Sequence, residues 1–292
     1  MKIVLFGKPF QAEKQDQIRF ILEEIARAKV EVLLCSQYHA CLKQWDLHTI
    51  LPAFSLTEDN DFNADYALSI GGDGTLLNVA RRVGNKGIPI LGINTGRLGF
   101  LSAIDYKETG AMMSELLADD VVLENHSQLC LQSPNFKLPD YPYALNEIAV
   151  LKRDISAMLH IHVSLNGEYL NDYQADGLII ATSTGSTAYA LSVGGPILFP
   201  ENPSIVLAPV APHSLTVRTI VLSDRSVIDL RVESRSQNFL VALDGRSFPL
   251  PGNAQLRVVR ADFPIQIVRR KSQSFVQTLR AKMMWGKDLR NT

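Results

Sequence analysis

The stretch Ser69-Ile70-Gly71-Gly72-Asp73-Gly74-Thr75-Leu76-Leu77 decides how the first part of the chain folds. An apolar run at 67–70 ends directly in two glycines, and Leu76, Leu77 and Ala80 then recur at helical spacing. Strand, glycine turn and helix start in immediate succession mark a crossover unit of a parallel sheet. Working outward, residues 3–6 and 30–34 read as strands around a helix built on Ile18, Ile21, Leu22 and Ile25. Residues 88–93 read as a further strand running into Asn94-Thr95-Gly96. Strands this continuously apolar suit a sheet covered on both faces. The spacing predicts a loop with a short helix over 43–63 and one more helix over 106–117.

Beyond residue 121 the texture changes to short Val-, Ile- and Leu-rich runs separated by turn signals. Leu159, Ile161, Val163 and Leu165 alternate with His160, His162 and Ser164, the period of a half-buried strand. Asn166-Gly167 then supplies a tight hairpin turn, because both residues tolerate positive φ. Residues 227–232, 239–243, 256–259 and 265–268 read as further strands, an antiparallel, sandwich-like texture. The expected organisation is an α/β domain over 1–115, a β-rich domain over 116–270, and a C-terminal segment, 271–292. The helix of that segment, 275–285, is expected to pack back on the first domain.

The chain has 292 residues with 29 Lys plus Arg against 30 Asp plus Glu, a formal charge of −1. A hydrophobic fraction of 46% and a charged fraction of 20% are those of a globular protein with a real core, and they exclude dominant disorder. The charge balance argues against a nucleic-acid-coating function, which needs a basic excess. The one tight basic cluster, Arg269-Arg270-Lys271, reads as a solvated strand end. No apolar run of about 18 residues suggests a spanning helix, and the first apolar run is too short for a signal segment. With three cysteines (Cys35, Cys41, Cys130), the cytoplasm is the expected compartment. Cys35, His39 and Cys41 lack a recognised metal-ligand spacing.

In the Asp73 loop, glycines allow a phosphate or ribose to approach the backbone, and helix-start N–H groups face an anion. The carboxylate sits at the carboxyl end of a parallel strand, where open α/β sheets bind ligands. No Gly-Lys-Ser/Thr follows, so it is not a P-loop, and Leu77 stands where the dinucleotide fingerprint requires Gly. A second loop, Asn94-Thr95-Gly96-Arg97-Leu98-Gly99-Phe100, follows the next strand. A third stretch, 176–189, opens from Asp176-Gly177 through an apolar strand into five hydroxyl residues around Gly185, ending at Tyr189. Such hydroxyls suit phosphate or ribose oxygens. No Gly-x-Ser-x-Gly elbow supports a hydrolase serine. Asn146-Glu147, before an apolar strand, offers groups for a carboxamide or a ribose diol. His160, His162 and His213 read as structural or exposed rather than catalytic.

Taken in this order, the four segments resemble the NAD kinase family from Lys2 to Trp285, and the stretch after Tyr189 continues the likeness through Ser192-Val193-Gly194-Gly195-Pro196. The glycine loop alone is shared with diacylglycerol-type lipid kinases; its combination with the 176–189 stretch is far more specific. The resemblance implies a Rossmann-like domain followed by a β-sandwich-like one, and transfer of the γ-phosphate of ATP to the adenosine 2′-hydroxyl of NAD. By the same resemblance Asp73 is the base, with Gly74 lining its pocket, and Asn146 and Glu147 hold a ribose. Asp176, Thr187, Ala188, Tyr189, Ser192, Ala211 and Arg246 are implied as further NAD contacts. Gly71, Gly72, Thr75 and Asn94 are the expected phosphate-donor loop. A divalent cation (Mg2+), ATP as donor and a homodimer or homotetramer are implied too, without named metal ligands. The alternatives are a lipid kinase sharing only the first loop and a non-catalytic NAD(P) sensor. The lipid kinase is disfavoured because no basic amphipathic helix is evident.

Overall fold

A computed structural model describes residues 1–58, 60–96, 99–102, 104–154, 158–234 and 238–284. The chain divides into two compact units, one made of Met1–Asn125 and the chain from Ile265 onward, the other of His126–Pro264. The first unit begins β1 (Lys2–Gly7), α1 (Gln15–Arg27), β2 (Glu31–Cys35), α2 (Ser36–Lys43), β3 (Ser55–Thr57), β4 (Tyr66–Ile70) and α3 (Asp73–Val83). It continues with β5 (Ile90–Asn94), β6 (Ile104–Asp105), α4 (Thr109–Leu117) and β7 (Val121–His126). The second unit holds β8 (Leu129–Gln132), β9 (Tyr143–Ala144), β10 (Glu147–Lys152), β11 (Leu159–Leu165), β12 (Glu168–Ala175) and β13 (Gly177–Thr182). There follow α5 (Tyr189–Ser192), β14 (Ser204–Val210), β15 (Ile220–Ser223), β16 (Ile228–Ser234), β17 (Asn238–Leu243), β18 (Arg246–Pro251) and β19 (Gln255–Arg260). The chain then returns to the first unit with β20 (Ile265–Arg270) and α6 (Phe275–Met283).

The first unit's sheet runs β3-β2-β1-β4-β5-β20-β7, with β6 also on β5. β1 through β5 pair in parallel, and Ile3, Val4 and Leu5 are fully buried, as a sheet covered on both faces requires. α1 buries Ile18, Ile21, Leu22 and Ile25, one helical stripe. The chain leaves β1 toward β2 and leaves β4 toward β5, in opposite directions along the sheet. A crevice therefore opens at the carboxyl ends of β1 and β4, where open parallel sheets take ligands.

The second unit stacks two antiparallel six-stranded sheets, β15-β14-β13-β10-β17-β18 and β12-β11-β16-β19-β8-β9. One apolar cluster fills the space between them, including Ile148, Val150, Ile161, Ile180, Val232, Phe239 and Val241. Each such buried side chain contributes about 1.5–3 kcal/mol. The other face of the first of these sheets is floored by small residues, Ala149, Ala181 and Ala208, against Ala190 of α5. Asn166 and Gly167 turn the β11–β12 hairpin with φ of 53° and 85°, as expected.

Three details differ from the sequence reading. β7 and β20 lie in the first unit's sheet, although both fall in the segment expected to be the β-rich domain. A short Val- and Ile-rich run is compatible with either kind of sheet, and only its long-range partner decides. The loop with a short helix expected over 43–63 does contain a helical turn, Leu47–Ile50, but it also forms the edge strand β3, paired with β2. Arg269 is 8% exposed, not a solvated strand end, and Arg270 pairs with Glu115 and Glu108. Only Lys271 of that cluster is exposed, paired with Asp120. α6 does belong to the first unit, where Phe275 packs on Phe100; Trp285, the expected end of this helix, lies outside the described residues. Among the described residues no helix is long and apolar enough to cross a membrane.

Candidate active site

Two constellations carry the sequence-predicted residues, one on each unit. On the first, β4 ends at Ile70 and the chain turns through Gly71-Gly72 into α3. A β-carbon at Gly71 would lie 2.3 Å from Thr75 Oγ1, so this turn admits only glycine. A β-carbon at Gly72 or Gly74 would meet nothing within 4 Å. Packing does not demand glycine at these two positions, and the backbone there stays open to an approaching group.

Asp73 is the first residue of α3 but does not cap it. Its carboxylate reaches across to the next loop: Phe100 N–H donates to Oδ2 at 2.9 Å, and Leu101 and Ser102 N–H donate to Oδ1 at 3.1 and 2.8 Å. Gly99 allows this approach, because a β-carbon there would fall 1.9 Å from Asp73 Oδ1. Lys282 of α6 places Nζ 3.6 Å from Oδ2 and 4.5 Å from the centre of the Phe100 ring. A carboxylate offers about four lone-pair sites. Three N–H groups take three of them; the remaining one is on Oδ2, the oxygen that Lys282 also approaches as an ion pair. Asn94 is tied inside its own loop, donating to Ser102 O at 3.2 Å and accepting from Gly96 N–H at 2.6 Å. Thr75 is buried behind Gly71. Arg97 and Leu98, part of the second motif, lie outside the described residues.

Beside Gly71 and Thr95 lies a cleft of about 260 Å³, lined also by Lys8 and Lys14 from the β1–α1 connection. These lysines escaped the sequence reading. The available signal was two cations directly after the first strand of a parallel sheet.

On the second unit, Asp244 and Gly245 turn β17 into β18 with φ of 48° and 78°. The Asp244 carboxylate receives the N–H groups of Leu145, Asn146 and Glu147 at 2.7, 2.8 and 3.1 Å. Burial pushes this carboxyl up, against the three N–H bonds and the Arg246 charge. The peptide of Asn146 is pinned from the other side, since Thr182 N–H donates to its carbonyl at 2.8 Å. A β-carbon on Gly185 would lie 2.0 Å from the same oxygen. Glu147 is pushed up to about 7, first by burial and then by the neighbouring Asp244 charge, with the Tyr189 N–H opposing. Its Oε2 is buried without a hydrogen-bond partner among the described residues.

The Glu147 shift makes stability depend on pH. A carboxyl whose pKa is raised on folding supports the fold below its ordinary range near 4.5 and loses that support as pH rises through about 7. Glu147→Gln stays neutral throughout. Its melting temperature should match wild type near pH 4.5 and exceed it by a few degrees at pH 8, measured by differential scanning calorimetry.

The remaining predicted residues separate. Asp176 is ion-paired with Lys152 at 2.7 Å, and Ala211 follows directly on Val210, whose carbonyl accepts Asp176 N–H. Glu147 pairs with Ala181 at the opposite end of the same two strands. At about 3.3 Å per residue, Asp176 is roughly 17 Å from Glu147 along β13. Thr187, Ala188, Tyr189 and Ser192 stay near Glu147 through the Tyr189 N–H.

The hydroxyls of 182–187, which by type suit phosphate or ribose oxygens, are each engaged within the protein. Thr182 donates to Leu145 O, Ser183 to Asn202 O, Ser186 to Ser183 O and Thr187 to Thr184 O, while Thr184 Oγ1 lies 2.8 Å from His126 Nδ1. Ser186 and Thr187 tie the turn to its own backbone, while Thr182, Ser183 and Thr184 anchor it to neighbouring segments, because a buried hydroxyl must find a partner. Ser192 likewise donates to Tyr189 O. Arg246 grips the carbonyls of Tyr141 and Tyr143 at 3.1 and 2.7 Å, so this guanidinium orders the strand entering β9.

No group of three or more His, Cys, Asp or Glu side chains among the described residues is placed to hold a metal ion. The residues present do not fit a protein-built Mg2+ cage.

Comparison with known proteins gives one consistent answer. The family model for the ATP-NAD kinase N-terminal domain matches residues 17–121, and that for the ATP-NAD kinase C-terminal domain matches 145–270. The chain is 50% identical over 290 residues to an NAD kinase of Bacteroides fragilis, covering 99% of this chain and 100% of that one. Its fold is that of yeast NADH kinase, solved with NADH, at a TM-score of 0.85 and 23% identity over 100% of this chain and 90% of that one. An Archaeoglobus fulgidus NAD kinase solved with ATP superposes at a TM-score of 0.73 and 23% identity, over 97% of this chain and 99% of that one. With both domain families matched in order and a half-identical relative over its full length, this chain belongs to the NAD kinase family.

Proposed function

We propose that the chain transfers the γ-phosphate of ATP to the 2′-hydroxyl of the adenosine ribose of NAD, with Asp73 as general base. The 2′-oxygen attacks phosphorus, its proton passes to the carboxylate, and ADP leaves. The observation that carries this reading is the Asp73 carboxylate itself. It is fixed by three backbone N–H bonds at a glycine-flanked strand end, with one acceptor position on Oδ2 that no hydrogen bond among the described residues takes and that Lys282 approaches as an ion pair. Phosphoryl transfer asks mainly for positioning and charge neutralisation, and a positioned base is the one proton acceptor it needs.

The cleft carrying Lys8 and Lys14 is proposed for the donor's phosphates, two cations at the ligand-binding edge of a parallel sheet. A divalent cation is proposed to arrive on those phosphates, where it neutralises charge with few protein ligands. Asn146 and Glu147 are proposed to hold a ribose of NAD. A homodimer or homotetramer in the cytoplasm is the proposed state, readable by sedimentation velocity.

The test is an endpoint assay with NAD, ATP and Mg2+, detecting NADP through an NADP-specific dehydrogenase. NADP forms with wild type. Joint replacement Lys8→Ala and Lys14→Ala raises the KM for ATP about 10-fold or more and leaves that for NAD within about threefold. Absence of NADP from folded protein, with polyphosphate and NADH also tried, overturns the reading.

A further inference from the structure

Arg269, at the end of β20, is nearly buried, and its guanidinium donates to two successive carbonyls, Nη2 to Phe100 O at 2.9 Å and Nη1 to Leu101 O at 3.1 Å. Nε donates to Glu124 Oε2 at 3.0 Å on β7, which turns the fork toward the loop. The peptide unit that offers Phe100 O also carries Leu101 N–H, which donates to Asp73 Oδ1. The next unit offers Leu101 O to Arg269 and Ser102 N–H to the same Oδ1. Two consecutive peptides thus lie between a guanidinium and the carboxylate, each polarised by the cation at one end toward the anion at the other.

Residues 99–102 form no strand or helix. Among the described residues, apart from the turn contact of Gly99 N–H with Ser102 O and the Asn94 side chain on that oxygen, the polar contacts fixing these peptides are Arg269 and Asp73.

We propose that Arg269 is a positioning residue for phosphoryl transfer, aiming the Asp73 carboxylate through the peptides of Phe100, Leu101 and Ser102. The inference rests on Asp73 being the base. A planar fork can serve two carbonyls at once and a lysine cannot, so the geometry and not only the charge matters. A displaced catalytic group lowers turnover by up to about 100-fold without loosening substrate.

The experiment is a double-mutant cycle on the full chain, with steady-state kinetics and thermal melts on each variant. Arg269→Gln lowers kcat about 10- to 100-fold, with the KM values for NAD and ATP within about threefold. Arg269→Lys loses nearly as much. In an Asp73→Asn background, Arg269→Gln costs less than about a further twofold, because the group it acts through is already disabled. Where residual turnover of Asp73→Asn is below detection, Asp73→Glu takes its place. If Arg269→Gln does not fold, Arg269→Lys and Glu124→Gln carry the cycle.

Losses that multiply across the cycle, a loss confined to KM, or unchanged kcat at Arg269 overturn the inference while leaving Asp73 in place. Wild-type turnover of Asp73→Asn overturns the base assignment instead, and the inference with it.

Discussion

Replacing Asp73 by Asn lowers kcat by about 10²–10⁴-fold, the range a positioned general base supplies, and leaves NAD affinity within a few fold. The substitution is nearly isosteric, so the pocket keeps its shape. The amide oxygen can still accept the Leu101 and Ser102 N–H groups that Oδ1 accepts now. The amide nitrogen then faces the Phe100 N–H, donor against donor, where Oδ2 stood. Two consequences follow from one exchange. The acceptor position on Oδ2 beside Lys282 disappears, so the 2′-hydroxyl proton has no recipient. One buried N–H also loses its partner, at about 1–3 kcal/mol, so a modest loss of thermal stability accompanies the loss of rate. The kinetics, a calorimetric titration with NAD and a melt separate the two effects. Turnover at the wild-type level would place the base elsewhere.

Asp244→Ala should cost the most stability, on the order of 3–6 kcal/mol, because three N–H groups lose one shared acceptor together. Alanine is also strained at a φ of 48°. The loss concentrates in the second unit, whose melting transition should fall by roughly 10 °C or more. Asp244→Asn keeps an acceptor and tolerates the left-handed backbone, so it should cost much less. Both variants remove a negative charge beside Glu147, and Glu147 should then titrate lower, since that charge is part of what raises it. Carbon-detected NMR of the Glu147 carboxyl across pH 5 to 8 reads the shift. An unchanged titration would show that burial alone holds Glu147 up.

The two constellations share a device that no local pattern announces. In each, a carboxylate beside a glycine collects three consecutive backbone N–H groups from a distant loop. Asp73 reaches a loop 27–29 residues on, and Asp244 reaches one 97–99 residues back. The glycines read from the sequence as openings for a ligand, and at Gly72 and Gly74 a β-carbon would meet nothing within 4 Å. Gly99 and Gly185 serve a different need, close approach of Asp73 and of the Asn146 carbonyl.

What the amino-acid order determined by itself was everything of short range. The strand-turn-helix at 67–80, the stripe of α1, the period-two alternation of β11 and the Asn166-Gly167 turn follow from side-chain periodicity and backbone freedom within a few residues. The family likeness added the residues expected to touch NAD.

Tertiary structure decided which of those residues meet. It set Asp176 at the far end of β13 from Glu147, turned the hydroxyls of 182–187 inward, and put β20 beside β5. It also drew Arg269 onto carbonyls 168 and 169 residues away in the chain. Such contacts depend on sheet register and loop closure, and a side chain's own neighbours in sequence say nothing about which strand end will arrive beside it.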